Sequence, residues 1–340
     1  MKHPHRRSLL LLAVVALSAS ALWITGCSKD GAPVLAPKLS QSGSSGSFSG
    51  VIRLDDPGIR AAIASQERAT PGLMGNGIIG TGVSADAAGK AVIVVYTERE
   101  GVRVPAEIDG IKTRTLVTGH VIPYARPGGG SLQMGNSTGN DNECASGTLG
   151  AVVVKGGVDY FLSNNHVFAR ENAASIGERI DAPGRYDGKP KCAQTPQIGT
   201  LAAFQRITFG GSNTVDCAIA QPSSGLSYSA VSAGGYTPSQ TTVSPSVGLA
   251  VKKTGRTSGL THDTIQAVNV TITVGYTDGN ATFTGQIQTG GQFIRSGDSG
   301  SLMVTETGNN PVGLCFAGSS SASFSNPIGP VLQALGVSMK

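Results

Sequence analysis

The stretch RSGDSGSL, Arg295 to Leu302, sets Ser299 between two glycines and directly after an acid. A serine hydroxyl is a poor nucleophile until a neutral imidazole takes its proton during attack on a carbonyl. The imidazole in turn needs a partner on its other nitrogen, and a carboxylate fixes the tautomer while stabilising the imidazolium. His166, in YFLSNNHVFA, follows an apolar run, and Asp216, in NTVDCAIA, opens another. His166, Asp216 and Ser299 together can therefore carry acyl transfer through a covalent serine intermediate. Gly297 lets the backbone turn so that the amides of Gly297 and Ser299 converge on one developing oxyanion. Gly300 leaves room for substrate beside the nucleophile.

The rivals for each role are weaker. His262, in GLTHDTI, lies downstream of Asp216 and reads as a turn or surface residue; His120, in TGHVIP, sits at an expected boundary. Asp187, in RYDGKP, is turn-like. KTGRTSG, residues 253–259, lacks the Gly-Lys-Ser/Thr ending of a phosphate loop and reads as a Gly/Thr hairpin. A Gly-x-Ser-x-Gly elbow is excluded because position 301 is Ser. No Cys/His spacing suggests zinc, so neither metal nor organic cofactor is expected.

Elements able to position these groups are legible as short apolar runs. From Gly147 onward TLGAVVV, DYFLSNNHVF, TVDCAIAQP, AVNVTITVGY, SLMVTE and PVGLCFAG alternate with turn signals, as in an all-β sandwich or barrel. PIGPVLQAL (327–335) predicts a short closing helix. Upstream, DPGIRAAIASQERA predicts a helix starting at Asp56-Pro57, and strands are predicted at 77–85, 90–98 and 112–119. The expected organisation is a small α+β module over 51–121 and a β domain over 122–340, with the Pro/Gly-rich IPYARPGGGSLQMGN at the boundary.

GDSGS, LSNNHV and NTVDCAIA, in the chain order His, Asp, Ser, resemble the trypsin-like (chymotrypsin-fold) serine peptidases. With GTLGAVV, KTGRTSGLT and GDSGSL…VGL…FAG, the similarity narrows to the branch that includes the plant narrow-leaf-1 protein and many bacterial sequences. The resemblance covers roughly 122–335. It implies two six-stranded antiparallel β-barrels with the site in the cleft between them. His166 would be the general base, Asp216 its orienter and Ser299 the nucleophile, with the Gly297 and Ser299 amides as oxyanion hole and a peptide or protein as substrate. It also implies that Phe293, six residues before the nucleophile, lines the base of the primary pocket, which makes a Lys/Arg preference unexpected. Ala317 and Gly318, in FAGSSSASF, would form its wall. An intact triad in sequence does not prove an assembled site, so a catalytically silent protease-fold protein acting in peptide binding or assembly is the alternative.

The first 26 residues combine Lys2, Arg6 and Arg7 with an apolar run from Leu9 to Ile24, and WITGC ends at Cys27. This describes a lipoprotein signal peptide. Acylation of Cys27 would anchor the chain to a bacterial membrane, with 27–50 as a Ser/Gly/Pro-rich tether. Ser28 after the cysteine resembles the outer-membrane sorting signal. Three of the 26 basic residues lie in this leader, leaving 23 against 21 acids, which offers no electrostatic case for nucleic acid. Four cysteines remain beyond Cys27, with three possible connectivities. Polar contexts favour a Cys144–Cys192 bridge, and apolar ones favour buried thiols at Cys217 and Cys315. Nothing in the sequence speaks to oligomeric state.

Overall fold

A computed structural model describes residues 50–123 and 132–340; the expected leader, Cys27 and nearly all of the tether lie outside them. The chain is mainly β. Its first helix, α1 (Pro57–Leu73), starts where expected: Asp56 accepts from the amides of Gly58 (2.9 Å) and Ile59 (3.2 Å), with Pro57 in the first turn. There follow β1 (Ile78–Ala85), β2 (Ala91–Thr97), β3 (Glu107–Ile108), β4 (Ile111–Val117) and the two-residue β5 (Ile122–Pro123).

The next group is β6 (Gln133–Met134), β7 (Ser137–Asn140), β8 (Gly147–Thr148), β9 (Ala151–Lys155), β10 (Val158–Ser163), the single turn α2 (Asn165–Phe168), β11 (Arg179–Asp181), β12 (Gln197–Phe204), β13 (Ser212–Asn213), β14 (Ala218–Pro222) and β15 (Ser229–Ser232). The last is β16 (Ala250–Gly255), β17 (Gly259–Thr264), β18 (Ala267–Tyr276), β19 (Gly279–Gly290), β20 (Leu302–Thr305), β21 (Pro311–Gly318), β22 (Ala322–Pro327), α3 (Ile328–Leu335) and β23 (Ser338–Met339).

Among the described residues the strands form two large sheets rather than two sets of six. One has eight strands, β23-β9-β10-β14-β12-β11-β7-β8. The other has thirteen, running β17-β16-β20-β21-β22-β19-β18-β1-β2-β4-β3, with β13 on β19 and β5 on β21. The excess has a physical cause. The outer edge of the long β18–β19 hairpin offers unpaired backbone groups, and β1 satisfies them antiparallel through Gly80↔Ile272, Thr81↔Thr271 and Val83↔Val268. The 51–121 segment is thereby joined to the second sheet by backbone pairing. Gln66 of α1 adds a 2.8 Å bond to Thr81.

Each sheet wraps its own core, around Leu149, Phe161, Ile180 and Leu201 in the first and Ile272, Phe283, Phe316 and Phe324 in the second. A third cluster, with Val153, Ile219, Leu302, Leu314 and Leu335, joins the two sheets under α3. This shared core sets the alignment of the site's two halves.

Candidate active site

His166 and Asp216 come from the first sheet and Ser299 from the second. β10 ends at Ser163 and the chain turns at once into α2, which carries His166. Two side chains hold that turn: Asn164 donates to the Asp216 carbonyl (2.7 Å) and Asn165 to the Gln205 carbonyl (2.6 Å). Both asparagines are fully buried, where an unpaired amide is costly, so their bonds fix the turn that aims the imidazole.

Asp216 is completely buried two residues before β14. Its Oδ2 lies 2.6 Å from His166 Nδ1 and accepts from the Tyr276 hydroxyl at 2.9 Å; its Oδ1 accepts from the His166 backbone amide at 3.3 Å. The Asp216 amide donates to Asn326 Oδ1 (2.9 Å). A buried carboxylate survives only when its lone pairs are satisfied, and this one is. Burial, and then the neighbouring Asp216 charge, push the Tyr276 phenol well above its ordinary value, so it stays a donor. Tyr276 is a site residue that sequence reasoning missed, because an aromatic at a strand end reads as core.

For His166, burial works against the imidazolium, but Asp216, with lesser help from Glu171 and Glu143, outweighs it and holds the pKa above its ordinary 6.5. A general base must be neutral to accept a proton. The acid limb of the activity–pH curve is therefore expected to rise through a midpoint above 6.5, with imidazolium blocking the reaction below it. Measuring kcat/KM or the rate of active-site labelling from pH 5 to 9 checks this; a midpoint at or below the ordinary imidazole value would contradict it.

Ser299 sits in a loop shaped by two glycines. Gly297 has φ +108°, a left-handed conformation that disfavours side chains. Gly300 lies so close to Ser163 Oγ and the Thr148 carbonyl that a Cβ would collide with both. Thr148 ties the loop to the first sheet: its amide donates to the Ser299 carbonyl (2.7 Å) and its hydroxyl to the Gly297 carbonyl (2.6 Å). The Ser299 hydroxyl donates to the Phe316 carbonyl at 3.1 Å. Buried His166 Nε2 has no hydrogen-bond partner among the described residues.

The residue before Ser299, Asp298, is held by the motif read as a simple hairpin. β16 and β17 do pair as one. At its tip the amides of Thr257 (2.9 Å) and Ser258 (3.1 Å) donate to Asp298 Oδ1, while the Ser258 hydroxyl (2.5 Å) and the Arg295 amide (2.8 Å) donate to Oδ2. Lys253 Nζ stands 3.2 Å from Oδ2, with both side chains wholly buried. Burial pulls the Lys253 pKa below its ordinary value, and Asp298 opposes the shift. Arg256 of the same motif pairs with Asp187 (2.7 and 3.1 Å), which also accepts from Ser137 (2.5 Å), so this rival aspartate is committed to an ion pair.

The remaining expected residues lie as follows. Phe293 is buried in a cluster with Ile287, Met303 and Cys315, its ring 6.0 Å from Lys253 Nζ. Ala317 and Gly318 end β21. His262 is exposed on β17 beside Glu306 (2.8 Å), and His120 lies against Gly275; the Asp216 carboxylate is bonded instead by His166 and Tyr276. Cys144 and Cys192 are bridged, with Cα atoms 5.2 Å apart, and Cys217 and Cys315 are buried thiols.

No family model and no curated protein matches the chain. Among solved structures it is similar to a glutamic acid-specific serine protease, at 21% identity and a TM-score of 0.47 over 62% of this chain and 100% of that one. Similar values hold for protease A of Thermobifida fusca (22%, TM-score 0.45, 62% and 98%) and an α-lytic protease homologue, N4 (21%, TM-score 0.45, 62% and 100%).

Proposed function

We propose that the chain is a serine endopeptidase, exported and lipid-anchored through Cys27, that cleaves peptide bonds by way of an acyl-enzyme on Ser299. The observation that carries this is the buried pair of His166 Nδ1 and Asp216 Oδ2 at 2.6 Å, with Nε2 left without a hydrogen-bond partner among the described residues. That arrangement is a base with one nitrogen held and the other ready to accept. Ser299 Oγ swings from the Phe316 carbonyl toward Nε2, gives up its proton and attacks the substrate carbonyl. The Gly297 and Ser299 amides receive the oxyanion, and His166 returns the proton to the leaving amine. Water then repeats the sequence to release the acid.

The Ser299–Phe316 bond favours a second reading, a protease fold whose serine is not engaged by its base. A fluorophosphonate probe separates the two. Its phosphorus–fluorine bond breaks as the Ser299 Oγ–phosphorus bond forms, fluoride leaves, and His166 takes the proton. Labelling of the 28–340 fragment, absent from Ser299→Ala and His166→Ala, is expected. No labelling of a folded fragment would leave the silent-fold reading standing. In cells, Cys27→Ser should move the full-length protein out of the membrane fraction.

A further inference from the structure

The 3.1 Å bond from Ser299 Oγ to the Phe316 carbonyl marks where Ser299 lies along β21. One edge of β21 is covered by β22, from Gly313↔Pro327 to Gly318↔Ser323. The other edge is divided. β20 covers it up to Leu302↔Leu314. The nucleophile loop takes Cys315, through the Gly300 amide to its carbonyl (2.8 Å) and its amide to the Ser301 carbonyl (3.0 Å). Beyond Phe316 the edge is taken by the chain's own β5, antiparallel, through Ala317↔Pro123 and Gly318↔Ile122.

A peptide that offers a carbonyl to Ser299 has to run extended beside the backbone that follows Phe316. Strand addition places such a peptide about 4.8 Å from β21, on the track that β5 already fills. Two strands cannot share one edge. β5 is also a weak occupant: it is two residues long, and Pro123 has no N–H to donate. Its hold comes from upstream, where buried Val121 packs in one core cluster with Phe316 and Phe324 and its carbonyl accepts from the Gly275 amide (3.2 Å).

We propose that Ile122–Pro123 is a resident strand on the peptide-docking edge of β21 beside Ser299, so that the chain is latent toward extended peptides until β5 is displaced. This rests on the serine-peptidase reading of the site. The partner that competes with β5 is an extended peptide backbone, and anything that releases 121–123 from its anchorage activates the site without altering the triad.

The test compares two probes on the 28–340 fragment and on Ile122→Gly/Pro123→Gly. A small alkyl fluorophosphonate needs only Ser299 and His166; a trialanyl diphenyl phosphonate also needs the edge of β21. Loosening β5 with two glycines is expected to raise the ratio of peptidyl to small-probe labelling roughly tenfold, with small-probe labelling unchanged. Ile122→Gly alone, a milder change for folding, should move the ratio in the same direction by a few-fold. An equal ratio in all three proteins, with the small probe labelling each, overturns the proposal and leaves the nucleophile standing. Absence of small-probe labelling throughout removes the peptidase reading and this proposal with it.

Discussion

Asp216→Asn is expected to lower kcat/KM, or the rate of fluorophosphonate capture, by on the order of 10⁴-fold while leaving the fold intact. The substitution keeps the size of the side chain. It reverses the chemistry at His166 Nδ1, which lies 2.6 Å from Oδ2. An amide nitrogen in that place drives the proton to Nε2, and a protonated Nε2 cannot take one from Ser299. That placement also sets the amide nitrogen against the Tyr276 hydroxyl, which donates to Oδ2 at 2.9 Å. The alternative orientation sets the amide nitrogen against the His166 backbone amide, which donates to Oδ1 at 3.3 Å, so neither orientation satisfies every neighbour. Tyr276→Phe in the same assay removes one donor to the carboxylate and should cost about tenfold. If Asp216→Asn retained activity within tenfold of the parent, His166 would have to be oriented by some other group and the triad reading would fail.

Lys253→Met is expected to destabilise the folded chain by about 3–5 kcal/mol and to abolish labelling of Ser299 under mildly denaturing conditions. Lys253 and Asp298 are both wholly buried and 3.2 Å apart, so removing the ammonium leaves a carboxylate with hydrogen bonds but no counter-charge. The remaining donors, from Thr257, Ser258 and Arg295, soften this loss without cancelling it. Urea unfolding measures it as a lower midpoint at unchanged slope. Lys253→Met/Asp298→Asn should recover part of the stability, since the orphaned charge is then gone. A single-variant loss below about 1 kcal/mol would show that the ion pair is not what holds the loop.

His166, Asp216 and Ser299 could be picked out as candidates because each adjoins an apolar run, and the order along the chain discriminates among serine sites; of the three, the structure pairs His166 with Asp216. The strands of 51–121 were legible for the same reason. Their destination was not. β1 is buried along its whole length and paired on both edges, so no alternation of IIGTGVSA says which sheet it joins. Tyr276 was hidden by distance, its hydroxyl reaching Asp216 across 60 residues. Lys253 was hidden by its type: a lysine in a hairpin ordinarily faces water, and nothing in VKKTG marks the second of two lysines as the buried one. Asn164 and Asn165 carried no signal of their own, because their role as struts depends on the carbonyls of Asp216 and Gln205, remote along the chain.

The Thr148 hydroxyl donates to the Gly297 carbonyl and accepts from the Arg256 amide, while the Arg256 side chain crosses back to Asp187. One threonine is thus a joint between both sheets and the loop that carries Ser299. On the serine-peptidase reading proposed above, catalytic competence is in this way tied to the integrity of the whole domain. A chain in which either sheet has come apart retains the residues of the site but not their arrangement, so on the proposed reading a partly folded or nicked chain would be inert rather than a stray hydrolase.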